Sequence, residues 1–438
     1  MLAALRAALN DGNFEPLIPW YTQFTRFESY VSGGRSTVLG ADAIHLEWAE
    51  AAGGTGEVTA CDVAEAEGGY NIDIQRDTAE PIRRRHTIHL APDGRVAWHI
   101  LYPARPRRPA LLPPLRGVRL ATQLVHEWEH SGWSGSRLYQ TRLATGESVV
   151  VKHLAPDQDW MMRATRDPGR EALLAVGDIY QQLPDALRAT VLTAQPVPDG
   201  WIIVMRDVSP AHRALGDTMG RPQLATALQA LHDLHQAFRG KPALDYLCTI
   251  GDRIRLFSPL RPLIERHGCD TLPKTFIPMW ETWADRGERD VVAAVLRVVA
   301  DPSPLLAEIA AQTEFTLLHG DYQVSNLALD SSGMIALDWG LACFGPPELD
   351  FVWFLSNTAW NGDEEREHLI STWSQITRTP ADSRALDLAV VFHAAMGELA
   401  FLTTEPIYQP PGFAVPSPAT AAWWSRRVRA ALDRLALA

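Results

Sequence analysis

The sequence predicts an α+β protein of two domains, the second divided into a small strand-rich lobe and a large helical lobe. Three observations predict this. A chain of 438 residues is too long for one ordinary core. The densest proline stretch, Pro103-Ala104-Arg105-Pro106-Arg107-Arg108-Pro109 followed by Pro113-Pro114, reads as a semi-rigid linker. Beyond it, strand patterns give way after Pro222 to helical periodicity, with Leu224, Leu228, Leu231, Leu234 and Phe238 on one face, interrupted by a single hairpin. The expected divisions are a first domain over 1–102, a linker over 103–116, a strand-rich lobe over 117–205 and a helical lobe over 206–438.

In the first domain, residues 1–31 carry helical apolar spacing, and a second helical pattern covers Ala41 to Ala52. Strand patterns follow at Gly56 to Ala64, Tyr70 to Gln75 and Arg84 to Tyr102. The last holds Asp93-Gly94 between Ile88, Leu90, Val96 and Trp98, a hairpin signal. Helices first and an antiparallel sheet afterwards indicate a sheet wrapped on its helices. His45, His86, His89 and His99 are pocket candidates, but no carboxylate has a telling spacing to them, so half-exposed strand positions explain them better.

The second domain opens with a helical stretch near Ala121 to Glu129. Ser131-Gly132-Trp133-Ser134-Gly135-Ser136 then precedes two strand patterns, Arg137 to Leu143 and Ser148 to Leu154. A glycine loop between strands can bring backbone N–H groups close to phosphate oxygens because no side chain intervenes. The second strand, Val149-Val150-Val151-Lys152-His153-Leu154, sets a lysine in an apolar run, in a chain with only three lysines, Lys152, Lys241 and Lys274. A buried ammonium needs an anionic partner, and Glu171, opening the helical pattern Arg170-Glu171-Ala172-Leu173-Leu174, can face the strand and supply one. A lysine at a strand edge with its tip in water is the alternative.

The most informative segment is Phe315 to Gly340, F-T-L-L-H-G-D-Y-Q-V-S-N-L-A-L-D-S-S-G-M-I-A-L-D-W-G. Two short apolar runs flank Asp330-Ser331-Ser332-Gly333, the composition of a tight turn. Pairing Asp330 with Met334 across a three-residue loop sets Asn326 opposite Asp338. Opposed residues have Cβ atoms roughly 4.5 to 5.5 Å apart, close enough for two oxygens to share a hard cation. Asp321 lies on the loop that enters the hairpin.

Together these elements resemble the aminoglycoside phosphotransferase and choline kinase superfamily, whose fold is similar to that of protein kinases. The glycine loop, strand lysine, helix glutamate, H-G-D-x-x-x-x-N loop and L-D-W-G turn occur in the family's order over about residues 118–438. The resemblance implies a bilobal kinase-like domain in which Asp321 orients and deprotonates the acceptor hydroxyl. It implies that Asn326 and Asp338 hold magnesium on the phosphates, and that Lys152, held by Glu171, contacts them. Ser134, Gly135 and Ser136 would cover the phosphates, and backbone groups from Met205 to Asp207 would meet the adenine edge. His319, His232 and His235 are expected to be structural, and Asp350 to support the loop backbone. Phosphoryl transfer mainly requires positioning and neutralisation of phosphate oxygens, which this residue set can supply. Gly320 stands where protein kinases carry an arginine that binds a phosphorylated loop, and only Leu341 to Gly345 separate the D-W-G turn from Pro346-Pro347-Glu348-Leu349-Asp350. Both argue against activation by loop phosphorylation.

The first domain, over roughly residues 8–102, is similar to the SnoaL-like, nuclear-transport-factor-2-like family of cone-shaped α+β barrels. The similarity rests on element order and on Val38-Leu39-Gly40-Ala41-Asp42-Ala43-Ile44. It implies ligand binding or homodimerisation.

The acceptor is expected between the His319–Asn326 loop and the later helices, where Trp353, Trp360, Trp373, Trp423 and Trp424 and the carboxylates Asp363, Glu364, Glu365 and Glu398 offer cation–π and ionic contacts to an amine. Helix cores and solvated helix faces account better for any one of these residues. The expected ligands are ATP, with GTP as an alternative, Mg²⁺ and a small hydroxylated acceptor such as an aminoglycoside, choline or an amino sugar. A catalytically silent scaffold, or a bifunctional protein whose first domain is an isomerase or hydratase, are the competing readings. Intact Lys152, Glu171, Asp321, Asn326 and Asp338 argue against the scaffold. A net charge of −12 disfavours a nucleic-acid partner. No run of about 18 apolar residues suggests a membrane span, and Met1-Leu2-Ala3-Ala4-Leu5-Arg6 lacks the pattern of a secretory signal, so a cytoplasmic protein is expected. Cys61, Cys248, Cys269 and Cys343 have no metal-ligand or disulfide spacing.

Overall fold

A computed structural model of the chain describes residues 19–29, 36–39, 57–66, 69–77, 82–90, 95–103, 110–128, 134–209, 211, 219–260, 271–312, 314–331, 333–358, 362–403 and 418–436. The chain divides into two compact units, residues 1–108 with 269–271, and residues 109–268 with 272–438. Among the described residues no helix is long and apolar enough to cross a membrane.

In the first unit, six strands form one sheet: β1 (Tyr21–Ser29), β2 (Ser36–Leu39), β3 (Glu57–Ala66), β4 (Gly69–Asp77), β5 (Ile82–Leu90) and β6 (Val96–Pro103), in the order β2-β1-β6-β5-β4-β3. From β3 to β6 the sheet is an antiparallel meander, and β1 joins β6 in parallel. The connection between β5 and β6 includes Asp93-Gly94, which lies outside the described residues, as do 1–18, 41–52 and His45. Tyr21–Ser29 is a strand and not part of a helix. Its apolar residues at 21, 24 and 27 mimic a helical repeat, but Tyr, Phe and Thr dominate the segment, and these side chains fit a pleated surface better than a helix.

The second unit begins with an antiparallel sheet of β7 (Ala110–Leu111), β8 (Leu124–Trp128), β9 (Arg137–Arg142), β10 (Ser148–Leu154), β12 (Val191–Val197) and β13 (Gly200–Arg206), ordered β12-β13-β10-β9-β8-β7. The segment expected as a helix near Ala121 to Glu129 is strand β8. Nine residues cannot separate a helical from a strand repeat by apolar spacing alone, and the alternation of exposed Leu124 with buried Val125 is that of a strand. Lys152 sits on β10, bonded on both sides by β9 and β13, so it is not an edge residue. Two short helices, α1 (Trp160–Ala164) and α2 (Arg170–Val176), follow β10.

The helical part comprises α3 (Arg221–Phe238), α4 (Thr271–Arg286), α5 (Arg289–Ala300), α6 (Ser303–Ala310), α7 (Glu348–Thr358), α8 (Asp363–Thr377), α9 (Arg384–Met396), α10 (Glu398–Thr403) and α11 (Pro418–Leu435). Leu224, Leu228, Leu231, Leu234 and Phe238 of α3 are all buried in one apolar core that also takes in α9 throughout its length. Into this core are set β14 (Thr316–Leu318) paired with β17 (Cys343–Gly345), and the hairpin of β15 (Leu327–Asp330) and β16 (Gly333–Ala336), joined in parallel by β11 (Leu187–Arg188).

The hairpin register differs by one residue from the expected one. Asp330 pairs with Gly333 and Leu327 with Ala336, so Leu337, not Asp338, lies beside Asn326 and donates its N–H to the Asn326 carbonyl at 2.9 Å. Gly333, at φ 125°, closes a tighter turn than the three-residue loop expected. Asp338 is carried past the strand end in a left-handed conformation, φ 60° and ψ 68°.

Candidate active site

Five side chains from separate elements meet in this unit. Lys152 reaches from β10 across to α2, where its Nζ lies 2.8 Å from Glu171 Oε2, and it also lies 2.8 Å from Asp338 Oδ1. Burial alone would lower the pKa of Lys152, but the carboxylates of Asp338 and Glu171 outweigh it and hold the ammonium above its usual range. Asp338 is pulled the other way: burial raises it, Lys152 more than compensates, and the carboxyl stays ionised. The start of α2 is fixed by Asp167, whose Oδ1 accepts from the N–H groups of Gly169 (2.8 Å) and Arg170 (2.5 Å). The buried Arg170 guanidinium donates to the carbonyls of Gly340 and Tyr246, tying α2 to the turn that follows Asp338.

The loop after β14 is held from behind. Asp350 on α7, fully buried, accepts the N–H of His319 at 2.7 Å and of Gly320 at 2.9 Å, and faces His235 Nε2 at 3.3 Å. Gly320 has φ +84°, and a Cβ there would come within 1.9 Å of the Leu341 carbonyl oxygen. His319 donates from Nε2 to the Leu337 carbonyl at 3.0 Å and accepts the Asp321 N–H on Nδ1 at 3.2 Å. These roles need the neutral ring, and burial pushes its pKa down to about 4.

Asp321 therefore projects from a rigid loop. Its Oδ1 accepts from Gln323 Nε2 (2.8 Å) and Trp353 Nε1 (2.7 Å), and its Oδ2 from Asn326 Nδ2 (2.7 Å). Burial first, and then the Asp338 charge, push its carboxyl up to about 6, against the hydrogen bonds from Trp353 and Asn326. Because Asn326 spends its amide nitrogen on Asp321, its oxygen is left for other work.

A cleft open to solvent is lined by Lys152, Glu171, Asp321 and Asp338 together with Ser134, Ser136, Asp159 and Gly340. Ser134 and Ser136 come from the glycine-rich turn, where Gly135 has φ 96° and Ser136 Oγ donates to Asp159 Oδ2 at 2.5 Å. Residues 131–133 lie outside the described residues. Met205 and Asp207 do not line this cleft. The N–H of Arg206 is bonded to the Thr190 carbonyl (3.0 Å) and that of Asp207 to the Ser148 carbonyl (3.2 Å). Among the described residues no cluster of three or more His, Cys, Asp or Glu side chains could hold a metal by itself. Asn326 and Asp338 are hard oxygen donors that suit a magnesium ion arriving with phosphates to complete its shell.

The residues considered for an acceptor do not gather. Trp373, Trp423 and Trp424 are buried in the helical core, Trp373 stacked on Phe351 at 4.8 Å. Asp363 pairs with Arg366 and Arg426, and Glu364 and Glu365 with Arg221. Trp360 lies outside the described residues. Glu398 is buried, with Ser356 as its hydrogen-bond partner. Trp353 serves Asp321 through its N–H instead of offering a cation a free face. Trp353 and Gln323 as partners of Asp321 were not deducible from the sequence alone. The clue for Trp353 was its spacing of three from Asp350, which puts both on one helix face.

Residues 211–386 match the model of the phosphotransferase enzyme family, a span of less than half the chain that contains Asp321, Asn326, Asp338 and Asp350 but neither Lys152 nor Glu171. No curated protein matches the chain. Among solved structures, it is similar to an aminoglycoside phosphotransferase from Streptomyces rimosus, at 17% identity over 62% of this chain and 92% of that one, with a TM-score of 0.40. It is likewise similar to a choline kinase from Streptococcus pneumoniae, at 13% over 68% and 90% (0.40). A third is an aminoglycoside phosphotransferase from Alicyclobacillus acidocaldarius, at 15% over 76% and 97% (0.39). The overlap at these scores is loose.

Proposed function

We propose that residues 109–438 form a small-molecule kinase that moves the γ-phosphate of ATP, with GTP an alternative donor, to a hydroxyl of a small acceptor such as an aminoglycoside, choline or an amino sugar. One observation carries this reading: Lys152, Glu171, Asp321 and Asp338 converge on a single cleft beside the glycine-rich turn, and Asn326 is bonded to Asp321. When bound, a magnesium ion supplies neutralisation of the phosphate charge.

The protein's own groups divide the remaining work. Asn326 and Asp338 hold the metal, Lys152 contacts phosphate oxygens while Glu171 keeps it in place, and Asp321 orients the acceptor hydroxyl and takes its proton. A carboxyl pushed up to about 6 is a better base than an ordinary aspartate while remaining largely ionised near neutrality. Constitutive activity is part of the proposal. The Asp338 turn runs through Trp339–Leu341 directly into β17 and α7, which leaves no segment for a phosphorylation-ordered loop. For the first unit, the proposal is a SnoaL-like domain that binds a ligand or dimerises.

The test is incubation with magnesium-ATP and a panel of streptomycin, kanamycin, choline and glucosamine, wild type against Asp321→Ala. Acceptor-dependent ADP release by the wild type and its loss in the variant are expected. If the wild type shows no transfer, no ATP hydrolysis and no thermal shift with nucleotide, the reading fails. Asn326→Ala should raise the magnesium concentration needed for half-maximal rate, with unfolding unchanged.

A further inference from the structure

Trp353 is the one tryptophan among the described residues with a hydrogen bond to the reacting carboxylate, and the function proposed above gives it no part. Each carboxylate oxygen has two lone-pair directions. At Asp321 Oδ1 both are taken, by Trp353 Nε1 at 2.7 Å and Gln323 Nε2 at 2.8 Å. At Oδ2, among the described residues, only Asn326 Nδ2 donates, at 2.7 Å, which leaves one direction for a further partner.

The donor from Trp353 is held firmly. Its ring lies nearly parallel to Phe257, 6.5 Å between centroids, and within 30° of His393 at 5.5 Å. An indole N–H can only donate, so it cannot switch roles when a hydroxyl arrives. Trp353 also follows Asp350 by three residues on α7, the spacing that aligns side chains on one helix face. Asp350 bonds the loop backbone at His319 and Gly320, while Trp353 bonds the side chain of the next residue, Asp321. One rigid helix thus fixes both the backbone and the carboxylate of the loop.

We propose that Trp353 is a positioning residue that, with Gln323, saturates Oδ1 of Asp321 and so reserves Oδ2 for the acceptor hydroxyl. This rests on the phosphotransferase reading and adds to it the oxygen that does the work. In the step itself, the acceptor O–H proton passes to Oδ2 while the new acceptor O–P bond forms. The bond between the γ-phosphorus and the bridging oxygen breaks, and its electron pair leaves with ADP. Without the donor from Trp353, the carboxylate can rotate and present either oxygen, and orientation is lost.

The experiment compares wild type, Trp353→Phe and Gln323→Leu, using magnesium-ATP and whichever of streptomycin, kanamycin, choline or glucosamine the wild type phosphorylates fastest. Trp353→Phe keeps a stacking ring and removes the N–H. Its kcat should fall roughly tenfold or more, with KM for ATP and calorimetric ADP affinity within about twofold of wild type. Gln323→Leu should show the same split, and it stands as the test if Trp353→Phe does not fold. An unchanged kcat in the folded variants overturns the proposal, as does a fall in kcat matched by an equal loss of ADP affinity. A wild type that turns over no acceptor, hydrolyses no ATP and gives no thermal shift with nucleotide overturns the phosphotransferase reading and this inference with it.

Discussion

Glu398 allows a prediction that needs no knowledge of the acceptor. It opens α10 beneath α7, only 8% exposed, with Ser356 as its hydrogen-bond partner. Burial pushes its carboxyl from 4.5 up to about 7. A carboxyl whose pKa is higher in the folded than in the unfolded state binds its proton more tightly when folded. Its contribution to stability is therefore fully present below pH 4.5 and is lost as pH rises through 7. At 1.36 kcal/mol per pKa unit the loss approaches about 3 kcal/mol once Glu398 is ionised in both states. Glu398→Gln keeps the shape and a hydrogen-bonding group but cannot ionise. The assay is urea denaturation followed by tryptophan emission, which arises mainly from the second unit, on both proteins between about pH 5 and about pH 8.5. Subtracting the two curves cancels the other titrating groups. The stability of the variant relative to wild type should rise by about 2 to 3 kcal/mol from the acidic to the alkaline end. A difference independent of pH would refute the reasoning. So would a variant less stable than wild type at high pH, because that would mean the ionised Glu398 has a charged partner.

Three further outcomes follow from the same geometry. Gly320→Ala places a Cβ within 1.9 Å of the Leu341 carbonyl oxygen at a left-handed φ, so the loop must shift; a loss of several kcal/mol in denaturant unfolding, or protein recovered only as aggregate, is expected. Lys152→Met strands Glu171 without its cation in the interior and should cost about 3 to 5 kcal/mol, while Lys152→Met with Glu171→Leu should regain most of that stability but no nucleotide affinity, as calorimetry would show. His393, buried and pushed down to about 3, donates from Nε2 to the Leu349 carbonyl and stays neutral in the fold. Because its folded pKa lies below the unfolded value, stability is lost as pH falls below about 6.5, and His393→Gln should flatten that part of the stability curve between about pH 6.5 and about pH 4.

Much of the site could be read from the sequence because its chemistry is carried by residue types that are costly to place without a reason. A lysine directly after Val149-Val150-Val151 is such a case: burial demands a partner, and Glu171 at the head of the next helical pattern is where the structure puts one, at 2.8 Å. The part of Asp350 was legible only through the family resemblance, since nothing in the sequence alone marks the start of α7 as buried. Strand and helix assignments were weaker where the segment was short. Tyr21–Ser29 and Leu124–Trp128 each offered too few periods for apolar spacing to separate a repeat of 3.6 from one of 2, and side-chain type decided against the spacing.

The hairpin register shows why geometry inferred from pairing is more fragile than residue identity. A register is fixed by the turn, and turn composition alone admits loops of two or three residues. The shorter turn moves every pair by one, and with direct pairing Asp338 would have faced Asn326; instead Leu337 takes that place and packs its backbone on the strand. The left-handed step at Asp338 is what turns its carboxylate to Lys152, 2.8 Å away. A β-bonded Asp338 would be held at the sheet's own spacing, with its direction set by the pleat. Released from the ladder, it can answer to the lysine on β10. The departure from regular structure thus falls on the residue that must join the strand-rich lobe to the helical one, at the point where an ideal hairpin would have kept the two apart.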